Sequence, residues 1–293
     1  MRIKRTLQPF VDGSQIRFGF GNSSIERSLP LSDDLLKIIK RLDNQEFDQF
    51  TTEEQKLVNR MTELGLITIN KYDDSRFSRN LNFFEWIDTT SNLDPSLYQE
   101  KLFNSHILIV GVGGIGSTIA EILVRLGVRQ LTIVDFDVVE ESNLTRQSGV
   151  IKKKISNFQD LEECYLADSF DVVVCCADTP RIKIDYWFGE LTEKYNIPLV
   201  IGSYASTVVN YLAVQQEKTM SLKNFYDQYA VTDDQLLEHE YITSVISPIS
   251  YLAASVISLK IFDILTELIK LPFYMQLDCL DWKVVTLHEE ETG

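Results

Sequence analysis

The sequence has no C-x-x-C pair, no histidines at metal-ligand spacing, no internal repeat and no low-complexity tract. Its four cysteines, Cys164, Cys175, Cys176 and Cys279, therefore offer neither a zinc knuckle nor a redox dithiol. Reduced, mostly buried thiols in a cytoplasmic protein are expected. The three histidines, His106, His239 and His288, receive no role. The basic start, Met1 to Arg5, runs into no apolar stretch of signal-peptide length. The longest apolar segment, Ser247 to Leu271, carries Lys260, Asp263 and Glu267, which predicts a buried core helix and no membrane span. Cations are scarce, with 28 Lys and Arg against 43 Asp and Glu and a formal net charge of −15. That balance argues against nucleic acid and against anionic membrane, since both reward clustered Lys and Arg.

What remains is a chain of 293 residues with 44% hydrophobic content, enough for one large domain and a small module. Three parts are expected. In residues 1–70, Arg2 to Phe10 and Gln15 to Phe20 alternate like two strands around Asp12-Gly13-Ser14, a hairpin signal. Ile25 to Leu31 reads as a third strand, Ser32 caps a helix through about Leu42, and Thr51 opens another that Gly65 ends. Leu66 to Ile69 is a short strand. The whole is a winged-helix-like α+β module. Residues 71–104 are a polar, aromatic-studded connection that ends in a helix from Pro95 to Phe103.

Residues 105–293 form an α/β domain. A buried strand, Ile107 to Val110, runs into Gly111-Val112-Gly113-Gly114-Ile115-Gly116 and then an amphipathic helix that Gly127 stops. A second strand, Leu131 to Val134, ends in Asp135. Strand, glycine turn, helix, strand and acid describe a Rossmann-like nucleotide site. The glycines bring backbone N–H groups to phosphate oxygens, and the helix N-terminus adds partial positive charge. Later strands are expected at Asp171 to Cys176, Pro198 to Gly202, Val208 to Val214, Phe273 to Cys279 and Trp282 to His288, the last two antiparallel. Asp178 follows the first of these, with Thr179-Pro180 as the cap and first residue of the next helix. If Ile151 to Asn157 is the next parallel strand after Asp135, Ser142 to Gln147 must supply the whole crossover helix.

The run from Asp135 through Phe136, Asp137, Val138, Val139, Glu140, Glu141, Ser142, Asn143, Leu144, Thr145 and Arg146 to Gln147 is more specific than the glycines. It resembles the D-x-D-x-V-x-x-S-N-L-x-R-Q signature of the ThiF/MoeB family of ubiquitin-activating-like adenylating enzymes. The resemblance implies ATP and Mg²⁺ as cofactors and a carboxylate that is joined to AMP. It implies a phosphate cradle at Gly111, Gly113, Gly114 and Gly116, a ribose acceptor at Asp135, phosphate-facing Asn143 and Arg146, and Mg²⁺ on Asp178. Arg76-Phe77-Ser78-Arg79-Asn80 resembles the family's R-Y-x-R-Q element, which implies that Arg79 reaches the partner's site in a homodimer. Each has a plainer alternative: a surface ion pair for Arg146, a helix cap for Asp178 and a basic linker for Arg79. Lys152, Lys153 and Lys154 lie near the family's catalytic lysine but read as a solvated strand face. The cysteine pairs that hold zinc in many members are missing after Val214, so no zinc is expected and a thioester relay has no acceptor.

The front module resembles the leader-recognition element of the peptide-modifying branch, the microcin C and pantocin-type maturation enzymes. A ribosomally made precursor would add as a strand beside Ile25 to Leu31 and dock apolar side chains near Glu53 to Leu64. Two other functions stay open: a catalytically degenerate scaffold that presents a leader to another enzyme, and an NAD-binding oxidoreductase.

Overall fold

The computed structural model describes residues 1–44, 50–135, 157–180, 182–229 and 244–288. They divide into two compact units, Met1–Lys101 and Leu102–Gly293.

In the first unit, β1 (Arg2–Ile3) pairs antiparallel with β5 (Ile67–Thr68). A separate antiparallel sheet has the order β2 (Phe10–Asp12), β3 (Gln15–Phe18), β4 (Arg27–Pro30). The hairpin falls where the sequence places it, with Asp12 opposite Gln15. The expected strand from Arg2 to Phe10 is broken, however. Lys4 is buried and donates to the Asp88 carbonyl at 2.7 Å, and a short 3-10 turn at Arg5–Leu7 drives Leu7 into the core. Helix α1 (Asp33–Asp43) starts at Ser32, whose side chain accepts from the Leu35 amide. Helix α2 (Thr52–Glu63) starts in a capping box, Thr51 with Glu54. Each such cap is worth about 1 kcal/mol. Leu35, Ile38, Leu42, Val58 and Met61 bury one face of each helix against Ile16, Phe18 and Leu29 of the sheet.

A helix the pattern did not predict, α3 (Ser78–Ile87), lies inside the polar connection. Its periodicity is masked because Phe83 is exposed while Glu85 is 1% exposed. Glu85 accepts from Thr6 Oγ1 at 2.7 Å, Tyr72 Oη at 2.6 Å and Asn70 Nδ2 at 3.0 Å. Burial comes first among the causes that push the Tyr72 hydroxyl far above its ordinary value, and the Glu85 carboxylate adds to it. Trp86, Ile87 and Leu93 pack on the same core, so residues 71–101 belong to this unit. Helix α4 (Ser96–Asn104) closes the connection.

In the second unit the chain runs β6 (His106–Val110), α5 (Gly114–Leu126), β7 (Gln130–Val134), α6 (Phe158–Leu166), β8 (Val172–Cys175), α7 (Lys183–Tyr195), β9 (Leu199–Ala205), β10 (Val208–Val214), α8 (Leu222–Tyr229), α9 (Ser247–Thr266), β11 (Tyr274–Asp278) and β12 (Lys283–Leu287). Among the described residues, one sheet holds seven strands in the order β12-β11-β10-β9-β8-β6-β7. The pairs from β7 to β9 are parallel, and those from β9 to β12 antiparallel. This is a mixed α/β fold with a Rossmann-like parallel half. Helices α6, α7 and α8 cover the face that Leu108, Val110, Val173 and Cys175 present. Helices α5 and α9 pack together on the alternate face. Helix α9 is long and apolar enough to cross a membrane by length and composition, and it buries Ala253, Ala254, Ile257 and Ile261 in the fold. Its Lys260 is satisfied by Asp263 Oδ2 at 2.8 Å and the Leu271 carbonyl at 3.0 Å.

The strand considered for Ile151 to Asn157 lies, but for Asn157, outside the described residues. Asn157 caps α6, its side chain accepting from the Asp160 amide. Among the described residues the next parallel strand after β7 is β8, which pairs on the other side of β6 from β7. That reversal makes a topological switch point at the C-terminal ends of β6 and β8, where ligands of such sheets bind.

Replacing Glu85 with Ala should leave buried Asn70 and half-buried Thr6 and Tyr72 without their acceptor and cost about 2–3 kcal/mol. Glu121→Ala, at an exposed pair with Arg125, should cost under about 0.5 kcal/mol. Denaturant unfolding of both variants checks this, and equal midpoints would refute the assigned weight of the network.

Candidate functional site

At the switch point the end of β6 becomes the glycine loop. Gly111 takes φ +87°, and its amide donates to the Val134 carbonyl at 2.8 Å. A Cβ there would lie 2.5 Å from the Ala177 nitrogen and 2.6 Å from the Cys176 carbonyl carbon. The glycine loop thus rests on the backbone that leads to Asp178. The Cys176 amide adds a bond to the Val110 carbonyl at 2.8 Å. Gly116 is constrained from the other side, since a Cβ would fall 1.9 Å from the Gly111 oxygen. These contacts bring the first turn of α5 down onto the strand end.

Gly113 is the N-cap of α5 and Gly114 its first residue, and no side chain caps the helix. Ser117 and Thr118 donate their hydroxyls to the Gly113 and Gly114 carbonyls at 2.7 and 2.9 Å. The amides of the first turn keep their orphan donor character, which suits an anion. Asp135, at the end of β7, accepts from the Val112 amide through Oδ2 at 2.6 Å. It therefore shapes the loop as well as standing where a ribose acceptor is expected.

Asp178 lies just beyond β8, exposed, with a long 3.3 Å contact from the neighbouring Thr179 hydroxyl. The expected cap at Thr179 and helix start at Pro180 are not found. Helix α7 begins at Lys183, its N-cap is Ile182 with φ +60°, and no side chain caps it. The plainer reading of Asp178 as a helix cap is thereby set aside. Among the described residues, no group of three or more His, Cys, Asp or Glu could hold a metal. A single exposed carboxylate beside the glycine loop nevertheless fits Mg²⁺, which takes one or two carboxylates and completes its shell with substrate phosphates and water.

Two groups here had no sequence signal. Tyr226 on α8 donates to Asp185 Oδ2, in the first turn of α7, at 2.5 Å. The Asp185 carboxyl is raised from 3.8 to about 6, chiefly by burial, against the lowering effect of the Tyr226 bond and with a smaller contribution from the charge of Asp178. Burial, and then Asp185, push the Tyr226 hydroxyl far above its usual range. The two residues are 41 positions apart, so only the fold pairs them. Burial drives the neighbouring Cys175 thiol well up and Cys176 to about 12, which disfavours the thiolate at both.

Arg79 sits exposed in the first turn of α3 in the first unit. Gly111, Gly113, Gly114, Gly116, Asp135 and Asp178 are brought together in the second. Asn143 and Arg146 lie outside the described residues, as do the three lysines at 152–154.

Residues 77–159 match the ThiF family. A similar curated protein is the adenylyltransferase and sulfurtransferase MOCS3 of Drosophila virilis, 32% identical over 161 residues, 46% of this chain. The match spans 33% of that relative's length. Among solved structures, the microcin C7 biosynthetic enzyme MccB in complex with N-formylated MccA superposes with a TM-score of 0.77 at 17% identity, covering 99% of this chain and 98% of that one. MccB of E. coli with ATP gives 0.72 at 17% identity, covering 98% and 96%. The likeness in fold therefore spans both units.

Gly116→Ala sets a Cβ against backbone that cannot swing aside, so it should destabilise by about 2–4 kcal/mol in denaturant unfolding. A change below about 1 kcal/mol would mean that the loop relaxes freely. Asp185 makes a second expectation. Its folded pKa is raised, so between about pH 4 and pH 6 the folded chain holds a proton that the unfolded chain has released, and stability falls as pH rises through that window. Asp185→Asn carries no such charge. In chelator, its stability relative to wild type should rise from about pH 4 to about pH 6 and level off above. A flat difference would contradict the raised carboxyl.

Proposed function

We propose that this chain is a homodimeric, ATP- and Mg²⁺-dependent enzyme that adenylates a carboxylate of a ribosomally made precursor peptide. The observation that carries the reading is the contact of the glycine loop with the backbone leading to Asp178, at the switch point of a sheet whose sequence bears the Asp135-to-Gln147 signature. An open helix N-terminus, an acid at the ribose position and an exposed carboxylate are what a triphosphate needs. The peptide substrate is supported by the fold likeness over nearly the whole chain to MccB, a protein solved with ATP and with MccA.

A peptide carboxylate oxygen attacks the α-phosphorus, the bond to pyrophosphate breaks, and an acyl-adenylate forms. A nitrogen of the same peptide then attacks the acyl carbon, loses its proton to water and expels AMP. Capture by a backbone or side-chain amide closes a ring. Gly111, Gly113, Gly114 and Gly116 cradle the phosphates, Asp135 accepts from ribose hydroxyls, and Asn143 and Arg146 face the phosphates. Arg79 supplies charge from the partner subunit. Mg²⁺ on Asp178 would neutralise phosphate charge as pyrophosphate leaves. Such catalysis is mostly positioning and electrostatics.

The first unit is read as a winged-helix-like clamp for the leader. The outer edge of the β2–β4 sheet at β4 offers main-chain groups to an added strand, and α2 offers side chains. Leader binding remote from the reacting carboxylate then contributes to positioning it.

Precursor-dependent exchange of labelled pyrophosphate into ATP tests the reading, with the peptide of a short reading frame beside this chain's gene. Asp178→Ala should abolish exchange while leader affinity stays within about 1 kcal/mol. Binding without exchange by the wild type would support the scaffold instead. Mixing Arg79→Ala with Asp178→Ala should regenerate part of the activity that each variant lacks, because one site of the mixed dimer is intact. No recovery would remove the arginine in trans.

A further inference from the structure

Asp178 is exposed and makes one long contact with its neighbour. A metal-binding carboxylate needs its backbone held within a fraction of an ångström. On the strand side this is done by the Cys176 amide on the Val110 carbonyl and by the close approach of Gly111. On the helix side the usual device is absent, because α7 opens at Ile182, with φ +60° and no capping side chain. Backbone bonds there are local, from the Ile184 amide to the Pro180 carbonyl and from the Asp185 amide to the Ile182 carbonyl. Among the described residues of this turn, Ile184 is buried in the core, and Asp185 takes a side-chain hydrogen bond from another element, donated by Tyr226.

Tyr226 is a firm anchor. Its ring packs on Tyr186, and its neighbour Phe225 is buried against Tyr274 of β11. Helices α7 and α8 also meet closely where Gly189 faces Leu222, at a point a Cβ would overfill. Asp185 moreover sits where the helix dipole favours a carboxylate. Yet it is half-buried beside a like charge, which is a net cost to folding that a neutral residue would avoid.

We propose that Asp185 and Tyr226 form a positioning pair, a hydrogen-bonded strut from α8 to the first turn of α7 that fixes Asp178 for the divalent ion of a bound Mg²⁺–nucleotide. Asp185 acts by holding the first turn of α7 and touches neither ion nor nucleotide. The proposal rests on the nucleotide reading above and deepens it.

The test uses the full chain with ATP and Mg²⁺ alone, without precursor. ATP affinity is measured by calorimetry in chelator and again across a Mg²⁺ series. Asp185→Ala and Tyr226→Phe should each lose about tenfold of the Mg²⁺-dependent gain in affinity, the usual size of an outer-shell effect, while ATP affinity in chelator holds. The conservative Asp185→Asn keeps an oxygen for Tyr226 and should recover affinity to within about twofold. Hydrogen exchange in the metal-free protein supplies a second readout. The amides of Ile184 and Asp185 should exchange faster in Asp185→Ala and Tyr226→Phe and at the wild-type rate in Asp185→Asn. Tyr226→Phe keeps the ring, so it answers even if Asp185→Ala fails to fold. An unchanged Mg²⁺ dependence in Tyr226→Phe, or Asp185→Asn as impaired as Asp185→Ala, overturns the strut. A wild type that binds no Mg²⁺–ATP overturns the nucleotide reading, and the strut with it. A wild type that binds normally while the variants match it overturns the strut alone.

Discussion

The second unit depends on backbone meeting backbone where side chains would not fit. Gly111 lies against Cys176 and Ala177, and Gly116 lies against Gly111. These contacts stack the end of β6, the start of α5 and the exit from β8 with no Cβ between them. Amide donors and a carboxylate can converge there because the intervening space has been removed. The constraint is steric, and it falls at the point where strand order reverses, the place where parallel sheets leave a crevice.

The first unit solves a different problem. Its described residues form sheets of two and three strands, and it buries charge to hold its parts together. Lys4 donates to the Asp88 carbonyl, and Glu85 gathers Thr6, Asn70 and Tyr72. Burial depresses the Lys4 ammonium, and the nearby Asp88 and Glu85 charges counter it. A buried network of this kind is stabilising only when each member is satisfied. Its sequence span, from residue 4 to residue 88, ties the connection to the small module that precedes it, with Arg79 on the helix so anchored.

Legibility in the sequence followed how local the physics is. The hairpin at Gly13, the caps at Ser32 and Thr51, the strand–glycine–helix unit and β10 were readable because neighbouring residues set them. Helix α3 was not, because Glu85 is buried by partners far along the chain while Phe83 points out, which inverts the polar pattern. The strand expected from Arg2 to Phe10 failed for a related reason: its alternation is real, but the Asp88 carbonyl captures Lys4 and bends the chain. At the site, the glycines and Asp178 were readable as residues, whereas the contact between them belongs to the sheet order. Asp185 with Tyr226 was invisible, a pair that only the packing of α7 on α8 creates. The start of α7 departs from the Thr-Pro rule because that rule describes average helix entries, and this one begins at a residue with φ +60°.

The central claim is that a peptide acid becomes an ester of AMP in this crevice. Precursor labelled with ¹⁸O in its carboxylates, incubated with ATP, Mg²⁺ and the chain, tests it most directly. The account predicts pyrophosphate together with AMP that has gained an ¹⁸O atom from the peptide. Release of ADP and phosphate, or AMP whose added oxygen comes from water, would contradict it.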